Sequence, residues 1–370
     1  FMQIYEPEKA ELASRDVVSR RMTEHMRAGK GVKSPYGEHL WLDIRHLGDK
    51  HISTKLREVD EICHHFLGVD PRTQLIPVRP TQHYTMAGIR TNKDGAAYGL
   101  TGLFSCGEAA CWDMHGFNRL GGNSVAETVV AGMLVGEYVA DFCESDHGEQ
   151  AISTALARDF IRREEDSLKR LVTRSGRESA VDLRRRMEAI MTDKVGLFRN
   201  GADLDRAVTE LAELLARSHD IGVSGTPGAN PELVLAYRLP RMLKVALTVA
   251  MGARNRTESR GAHFREDYPA RNDRDWLNRT LACWREGEAL PTLEYEELDV
   301  MAMELPPGFR GYGAKNIIDH PDTAKRQAEV DEMHGAKLDR HAAQSYLMSF
   351  KQYLPRKYRG RNARLDEPLP

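Results

Sequence analysis

The chain has 370 residues, of which 41% are hydrophobic and 29% charged, and its formal net charge is −2. That length supports a substantial core and two or three domains, and the near-neutral balance leaves no electrostatic footprint for nucleic acid or an anionic membrane. The longest apolar run, residues 125–142, is broken by Glu127, Glu137 and Asp141, so direct membrane insertion is not expected and any link to a membrane would go through a partner.

The opening stretch FMQIYEPEKAEL lacks a first Met, a basic region and a long apolar region. It does not read as a signal peptide and looks like the interior of a longer chain. Residues 40–44 alternate Leu40, Leu42 and Ile44 with polar neighbours, as a strand does. Over 51–68, Ile52, Leu56, Val59, Ile62 and Phe66 recur at helical spacing, and Gly68 ends the run. QLIPVRPT is too rich in proline for a helix and reads as extended. From His83 to Cys106 short strands are expected around a turn at TNKDG, and GLFSCGE reads as a buried strand entering a glycine-rich loop. The loop continues into a helix over 125–142, where Ala131, Gly132 and Gly136 would permit close packing on a sheet.

Beyond Glu144 the character changes to long charged amphipathic segments at 148–173, 178–192, 203–217 and 230–252. The last opens with an Asn cap followed by Pro. Together they predict a bundle of three or four helices. After Arg256 the chain is irregular, with an expected strand at PTLEYEELDV and a basic, proline-bearing tail. The five cysteines, Cys63, Cys106, Cys111, Cys143 and Cys283, form no C-x-x-C pair. They read as reduced thiols used for packing, not as a disulfide framework or iron–sulfur ligands.

Four motifs could carry chemistry. In FNRLGGNS, Gly121 and Gly122 allow a left-handed turn or a close backbone approach to a ligand. Ser124 falls where the free N–H groups and positive dipole end of a helix favour an anion or an electron-rich ring edge, and Arg119 has the planar fork that grips a carboxylate. No lysine follows the glycines, so the loop is not a P-loop, and a capped turn without a ligand is the plainer alternative. In RPTQHYTMAGI, His83 stands beside Tyr84 at the start of an expected strand, and a lone histidine near an apolar stretch is more often a satisfied core residue than a ligand. In ELASRDVVSR, Arg15 and Asp16 could be an ion pair at a helix start. ESRGAHFREDYPARNDRDW is crowded with opposite charges, which suits a buried network or a subunit interface more than catalysis, with His263 as a residue that could lie near a cofactor.

These motifs agree in order and spacing. ASRDVVSR, PTQHYTMAGI, GLFSCGEAACWDMHGFNRLGGNSVAE and ESRGAHFREDYPARND together resemble the flavoprotein subunit of fumarate reductase and succinate dehydrogenase, over essentially the whole chain. CWDMHGFNRLGGNS and LPTLEYEELDVMAMELPPGFRGYGAKN are most similar to quinol:fumarate reductases of the epsilonproteobacterial type. The resemblance implies FAD as cofactor, an iron–sulfur subunit and a quinone-bearing membrane anchor subunit as partners, and a peripheral place on the cytoplasmic side of the inner membrane. By position it makes Arg15 the proton donor, His83 and Arg119 the ligands of the substrate carboxylates, Glu108 a contact to FAD, and Asn123, Ser124 and Val125 the contact to the flavin ring.

Fumarate is a dianion, so those roles are chemically coherent: cations hold both ends, flavin delivers hydride to one carbon and Arg15 protonates the other. An arginine with a pKa above ~12 serves as an acid only if the developing carbanion is the stronger base and a relay reprotonates it.

The chain departs from the family pattern at Ala87, where the family has the first Gly of G-G-I. No G-x-G-x-x-G is present, so the pyrophosphate fingerprint is missing. The flavin-linking His, a second substrate His with its neighbouring Thr, and the acidic relay partner of Arg15 are expected upstream of Phe1. The expected fold is therefore α+β and multidomain. Residues 1–79 would end a capping domain, 80–145 would be the C-terminal part of an FAD-binding α/β domain, 146–256 a helical bundle and 257–370 a small C-terminal domain. Half of a doubly wound sheet would be missing, and the chain alone is expected neither to bind FAD stably nor to turn over. The rival readings are L-aspartate oxidase or adenylylsulfate reductase within the same superfamily, and a non-catalytic fragment that binds the iron–sulfur subunit.

Overall fold

The computed structural model describes residues 1–301 except 36, 117–118, 146–152, 225–227 and 286, together with 318–325 and 328. The start of the predicted bundle at 148–152, the stretch ELPPGFRGYGAKN and the basic tail lie outside the described residues. The chain divides into two compact units, Phe1–His83 and the remainder from Tyr84 onward, and each is described by itself.

The first unit contains α1 (Met2–Tyr5), α2 (Arg15–His25), strand β1 (Leu40–Leu42), α3 (Asp49–Lys55), α4 (Arg57–Ile62) and β2 (Ile76–Val78). β1 and β2 pair antiparallel, Leu40 opposite Val78 and Leu42 opposite Ile76, as the alternation of 40–44 and the prolines of 74–81 predict. The single helix expected over 51–68 is instead bent at Leu56, whose backbone (φ −121°, ψ 29°) leaves the helical region. The bend brings Ile52 and Cys63 into one small core with Ile44 and Ile76. Val59, Ile62 and Phe66, expected on the buried face, are exposed. Gly68 ends the run in the left-handed conformation as predicted.

The second unit begins with β3 (Ile89–Arg90), paired in parallel with β4 (Ala110–Cys111). The buried strand expected at GLFSCGE does not form. Phe104 makes one bridge to Ala96, and Gly107–Ala109 make a 3-10 turn, because Gly102 and Gly107 take positive φ (83° and 65°) and interrupt the extension. Helix α5 (Asn123–Glu144) follows the glycine loop and buries Glu127, Ala131 and Val135, one stripe at four-residue spacing. Val135 packs over Gly95, where an added Cβ would lie 2.6 Å from it. Of the three small residues expected to allow close packing, only Ala131 is buried; a Cβ on Gly132 or Gly136 would meet nothing within 4 Å.

Helices α6 (Thr154–Thr173), α7 (Ala180–Lys194), α8 (Gly201–Arg217) and α9 (Pro231–Asn255) match the four predicted amphipathic segments. Each is capped by a side chain: Ser153, Ser179, Asn200 and Asn230 accept from the backbone N–H three residues on. The main core lies among α7, α8 and α9, with Leu183, Leu204, Leu211, Leu239, Leu243 and Leu247 fully buried. α6 buries none of its own residues. α9 continues through Pro240, which removes one helical hydrogen bond without ending the helix.

Beyond α9 a charged network takes the place of an apolar core. Arg265 donates to the carbonyls of Ala253, Arg254 and Arg256 at 2.9–3.2 Å, satisfying the end of α9. It is bidentate to Asp267 at 2.7 Å, and Asp267 also accepts from the Gly201 N–H at the start of α8, 2.8 Å away. Fully buried Glu258 takes bonds from Arg256, Arg260 and the Asn272 N–H. The crowded charges of residues 258–276 are thus a structural lattice, and they lead through α10 (Asp273–Trp276) into an antiparallel hairpin of β5 (Asn278–Cys283) and β6 (Thr292–Glu297). β6 was expected; β5 was not.

All five cysteines are free thiols. Cys63 is buried in the first unit, Cys111 is partly covered in the second, and Cys143 and Cys283 are exposed. Among the described residues, no helix is long and apolar enough to cross a membrane.

Candidate functional site

The glycine loop does what its composition suggests. Gly122 caps α5 in the left-handed region (φ 80°, ψ −24°), and a Cβ there would meet nothing within 4 Å. The helix then starts at Asn123, whose N–H bonds back to the Leu120 carbonyl at 3.3 Å, while the N–H groups of Ser124 and Val125 fall in the first turn, which has no intrahelical acceptors to offer them. Asn123 and Val125 are exposed.

Arg119 does not project into solvent as the loop reading suggests. It is 6% exposed, and its guanidinium lies 4.7 Å from the centre of the Tyr84 ring. Its backbone N–H points at the sulfur of Met86, 2.9 Å away, and its Nη1 donates to the Leu120 carbonyl at 2.9 Å. Its Nε, also buried, has no hydrogen-bond partner among the described residues. A buried guanidinium with a donor to spare has the chemistry to take an anion.

Tyr84 is itself fixed by a carboxylate that sequence reasoning registered only as a charge interrupting an apolar helix. Glu127 accepts from the Tyr84 hydroxyl at 2.8 Å, the Trp112 indole N–H at 2.8 Å and His115 Nε2 at 2.7 Å. Burial works to raise the carboxyl pKa, but these three hydrogen bonds outweigh it and hold Glu127 below its ordinary range. Burial, and then the facing Glu127 carboxylate, push the Tyr84 phenol up to about 12. The same segment engages Glu108, whose carboxylate accepts from the Thr85 N–H at 2.8 Å. Tyr84, Thr85 and Met86 therefore organise Glu127, Glu108 and Arg119 in turn. An acid in the first turns of an apolar helix, just after a glycine loop, is the signal that could have revealed Glu127; Trp112 and His115 carry no spacing signature.

The remaining predicted residues lie in the first unit. Arg15 is exposed and opens α2 after Ser14. The ion pair expected between Arg15 and Asp16 is replaced: Asp16 is buried and pairs with Arg20 at 3.2 Å, one turn further on. His83 is exposed and lies before β3 in irregular chain, so it is neither a core histidine nor the start of a strand.

These features define a class: a mixed helix-and-sheet segment with a glycine-loop helix start and a buried arginine in the preceding loop. Residues 1–125 match the FAD binding domain family model and residues 184–312 match the model described as fumarate reductase flavoprotein C-term. The chain is 48% identical to the fumarate reductase flavoprotein subunit of Helicobacter pylori, over 99% of this chain and 56% of that protein. It is 35% identical to the succinate dehydrogenase flavoprotein subunit of Rickettsia bellii, over 84% of this chain and 54% of that one. A solved quinol-fumarate reductase structure superposes with a TM-score of 0.76 at 34% identity, covering 83% of this chain and 55% of that chain. The chain belongs to the fumarate reductase and succinate dehydrogenase flavoprotein family, and it spans about half the length of the curated relatives it matches. Adenylylsulfate reductase, 14% identical with a TM-score of 0.57, shares the fold alone.

Proposed function

We propose that this chain supplies the substrate-gripping part of an FAD-dependent fumarate reductase or succinate dehydrogenase. The observation that carries the reading is Arg119, buried, stacked on Tyr84 and left with an unpaired Nε. Such a group suits one carboxylate of a dicarboxylate, with His83 as ligand to the other. The residues present also fit the flavin. The first-turn amides of Ser124 and Val125 are donors suited to the ring's electron-rich edge, with Asn123, whose own N–H bonds back to the Leu120 carbonyl, offering its side chain beside them, and Glu108 is an exposed acceptor suited to a ribose hydroxyl. FAD, when bound, supplies the hydride. The chain's own share is to hold the dianion and, through Arg15, to deliver a proton.

Under this reading the segments 1–79, 80–145, 146–256 and 257–370 are the end of a capping domain, the end of the FAD domain, the helical bundle and the C-terminal domain. Electrons would pass to or from an iron–sulfur subunit and, through a membrane anchor subunit, a quinone, with the flavoprotein peripheral on the cytoplasmic side. The two family models and the match of nearly the entire chain to about half of a fumarate reductase flavoprotein subunit support the flavoprotein part of this reading, and the likeness to solved quinol-fumarate reductases supports the partner subunits.

The test is fumarate-dependent oxidation of reduced viologen by the FAD-loaded flavoprotein that contains this chain. Arg15→Ala is expected to lower kcat by at least about 10²-fold with FAD retained. Absence of fumarate-dependent oxidation in the unmutated flavoprotein would favour the non-catalytic assembly reading instead.

A further inference from the structure

We propose that Glu127 is the positioning residue for Arg119, acting through Tyr84. This rests on the reading above, in which Arg119 binds a substrate carboxylate. Among the described residues, the hydrogen bonds of Arg119 are its backbone N–H to the Met86 sulfur and its Nη1 to the Leu120 carbonyl. What fixes the plane of its guanidinium is the Tyr84 ring beneath it. That ring is in turn held at its far end, where the hydroxyl donates to Glu127.

The carboxylate has two effects on the ring. It fixes the ring's rotation, because a phenol tied at its oxygen cannot swing about χ1 without losing a charge-assisted hydrogen bond in a buried place. It also draws the phenolic proton and so enriches the ring's electrons, which strengthens the ring's hold on a cation above it. Glu127 can do this because one of its oxygens faces the Tyr84 hydroxyl directly, 2.8 Å away. Its remaining bonds come from Trp112 and from His115, which meets Tyr84 edge-on at 5.5 Å. Three donors converge on one carboxylate, its side chain 2% exposed, so its position is set from both the loop and the Tyr84 segment.

A purely structural carboxylate would affect folding and FAD retention. A positioning carboxylate affects dicarboxylate affinity. The experiment measures KM for fumarate and the Kd for malonate, a dicarboxylate with no double bond to reduce, in the FAD-loaded flavoprotein. It compares Tyr84→Phe, Glu127→Gln, their double variant and Arg119→Ala, with FAD content and melting temperature recorded for each.

Tyr84→Phe keeps the ring and removes only the tie. It is expected to weaken malonate and raise KM by about tenfold, with kcat within about threefold and FAD retained. The double variant is expected to be no weaker than Glu127→Gln alone, because both lesions cut the same link. Should Glu127→Gln fail to hold FAD or to fold, Tyr84→Phe decides alone. If Arg119→Ala weakens malonate while Tyr84→Phe binds it as tightly as the parent, the proposal is overturned and the reading of Arg119 stands. If Arg119→Ala also binds malonate unchanged, both fall.

Discussion

His263 is the residue most displaced from its ordinary chemistry. Burial, and next the Arg199 guanidinium, lower its pKa to about 3. Arg199 Nη1 donates to Nδ1 at 2.8 Å, which leaves the proton on Nε2 to reach the Arg256 carbonyl at 3.2 Å. A neutral imidazole is therefore built into the lattice, and a cofactor is not needed to explain it. The unfolded chain takes up this proton near pH 6.5 and the native one only near pH 3, so the native state loses stability as pH falls below 6.5. Equilibrium urea titrations between pH 7 and 5 should show that loss in the parent chain and less of it in His263→Gln, which keeps one donor and one acceptor; equal slopes would refute the assignment. His25, also lowered, shares the window, so the difference between the two chains is the quantity that decides.

At the same scale, the departure at Ala87 turns out to matter less than its neighbour. Ala87 is exposed, whereas Gly88 takes φ 150° with the Ala109 carbonyl oxygen 2.2 Å from where a Cβ would be. Gly88 is the position that must lack a side chain.

Among the elements, the three-helix core of α7, α8 and α9 was the most legible in the sequence and is the best defined structurally. Periodicity, caps and the N1 proline all pointed the same way there, and a bundle needs only local patterns to be read. Leu243→Ala should cost about 2–5 kcal/mol, measured as the shift in urea midpoint, because the side chain is fully buried between helices. An unchanged midpoint would show that the core is not where the folding energy resides.

Elements whose form depends on distant partners were misread. The helix over 51–68 has a good apolar face on paper, but the first unit's small core takes up Ile52 and Cys63 and leaves Val59, Ile62 and Phe66 outside. The strand at GLFSCGE lost to two left-handed glycines. β5 has no alternation that stands out and exists because β6 pairs with it along its whole length. The candidate site divides the same way. Arg119 and the helix start announce themselves through the glycines, whereas the hold of Glu127 on Tyr84, 43 residues apart in sequence, is a product of folding alone.

Across the second unit, one ionic lattice joins parts of the chain far apart in sequence. Arg90, the last residue of β3, is bidentate to Glu296 of β6 at 2.9 Å. Arg279 of β5 bonds both Glu296 and Asp113. Asp113, with φ 68°, sits between Trp112 and Met114 in the loop that also carries His115 to Glu127. The hairpin near the end of the described chain thus braces the loop behind the candidate site. Hydrogen bonds from Arg90, and next from Arg279, lower the Glu296 pKa to about 2. That stabilisation is complete above about pH 4.5 and is lost as pH falls toward 2, because the unfolded chain protonates first. Glu296→Gln should lower the melting temperature at pH 6 and narrow its gap to the parent as pH drops from 4.5 to 3. A gap independent of pH would assign the loss to packing. Since the Glu296 side chain is 36% exposed, solvent screening keeps the effect small.

The scatter of five unpaired thiols gives the molecule a built-in set of clocks. Cys143 and Cys283 react with an alkylating reagent at once, since both are exposed. Cys63 and Cys111 are screened, and burial raises the pKa of each thiol, which further suppresses the reactive thiolate. Cys63 lies in the first compact unit, and Cys111 lies in the second together with the partly covered Cys106. After the fast pair is blocked, the rate at which each sheltered sulfur is captured, resolved by peptide mass, reports how often its own unit opens. The two units can therefore be timed separately in one tube, with no residue added to or removed from the sequence.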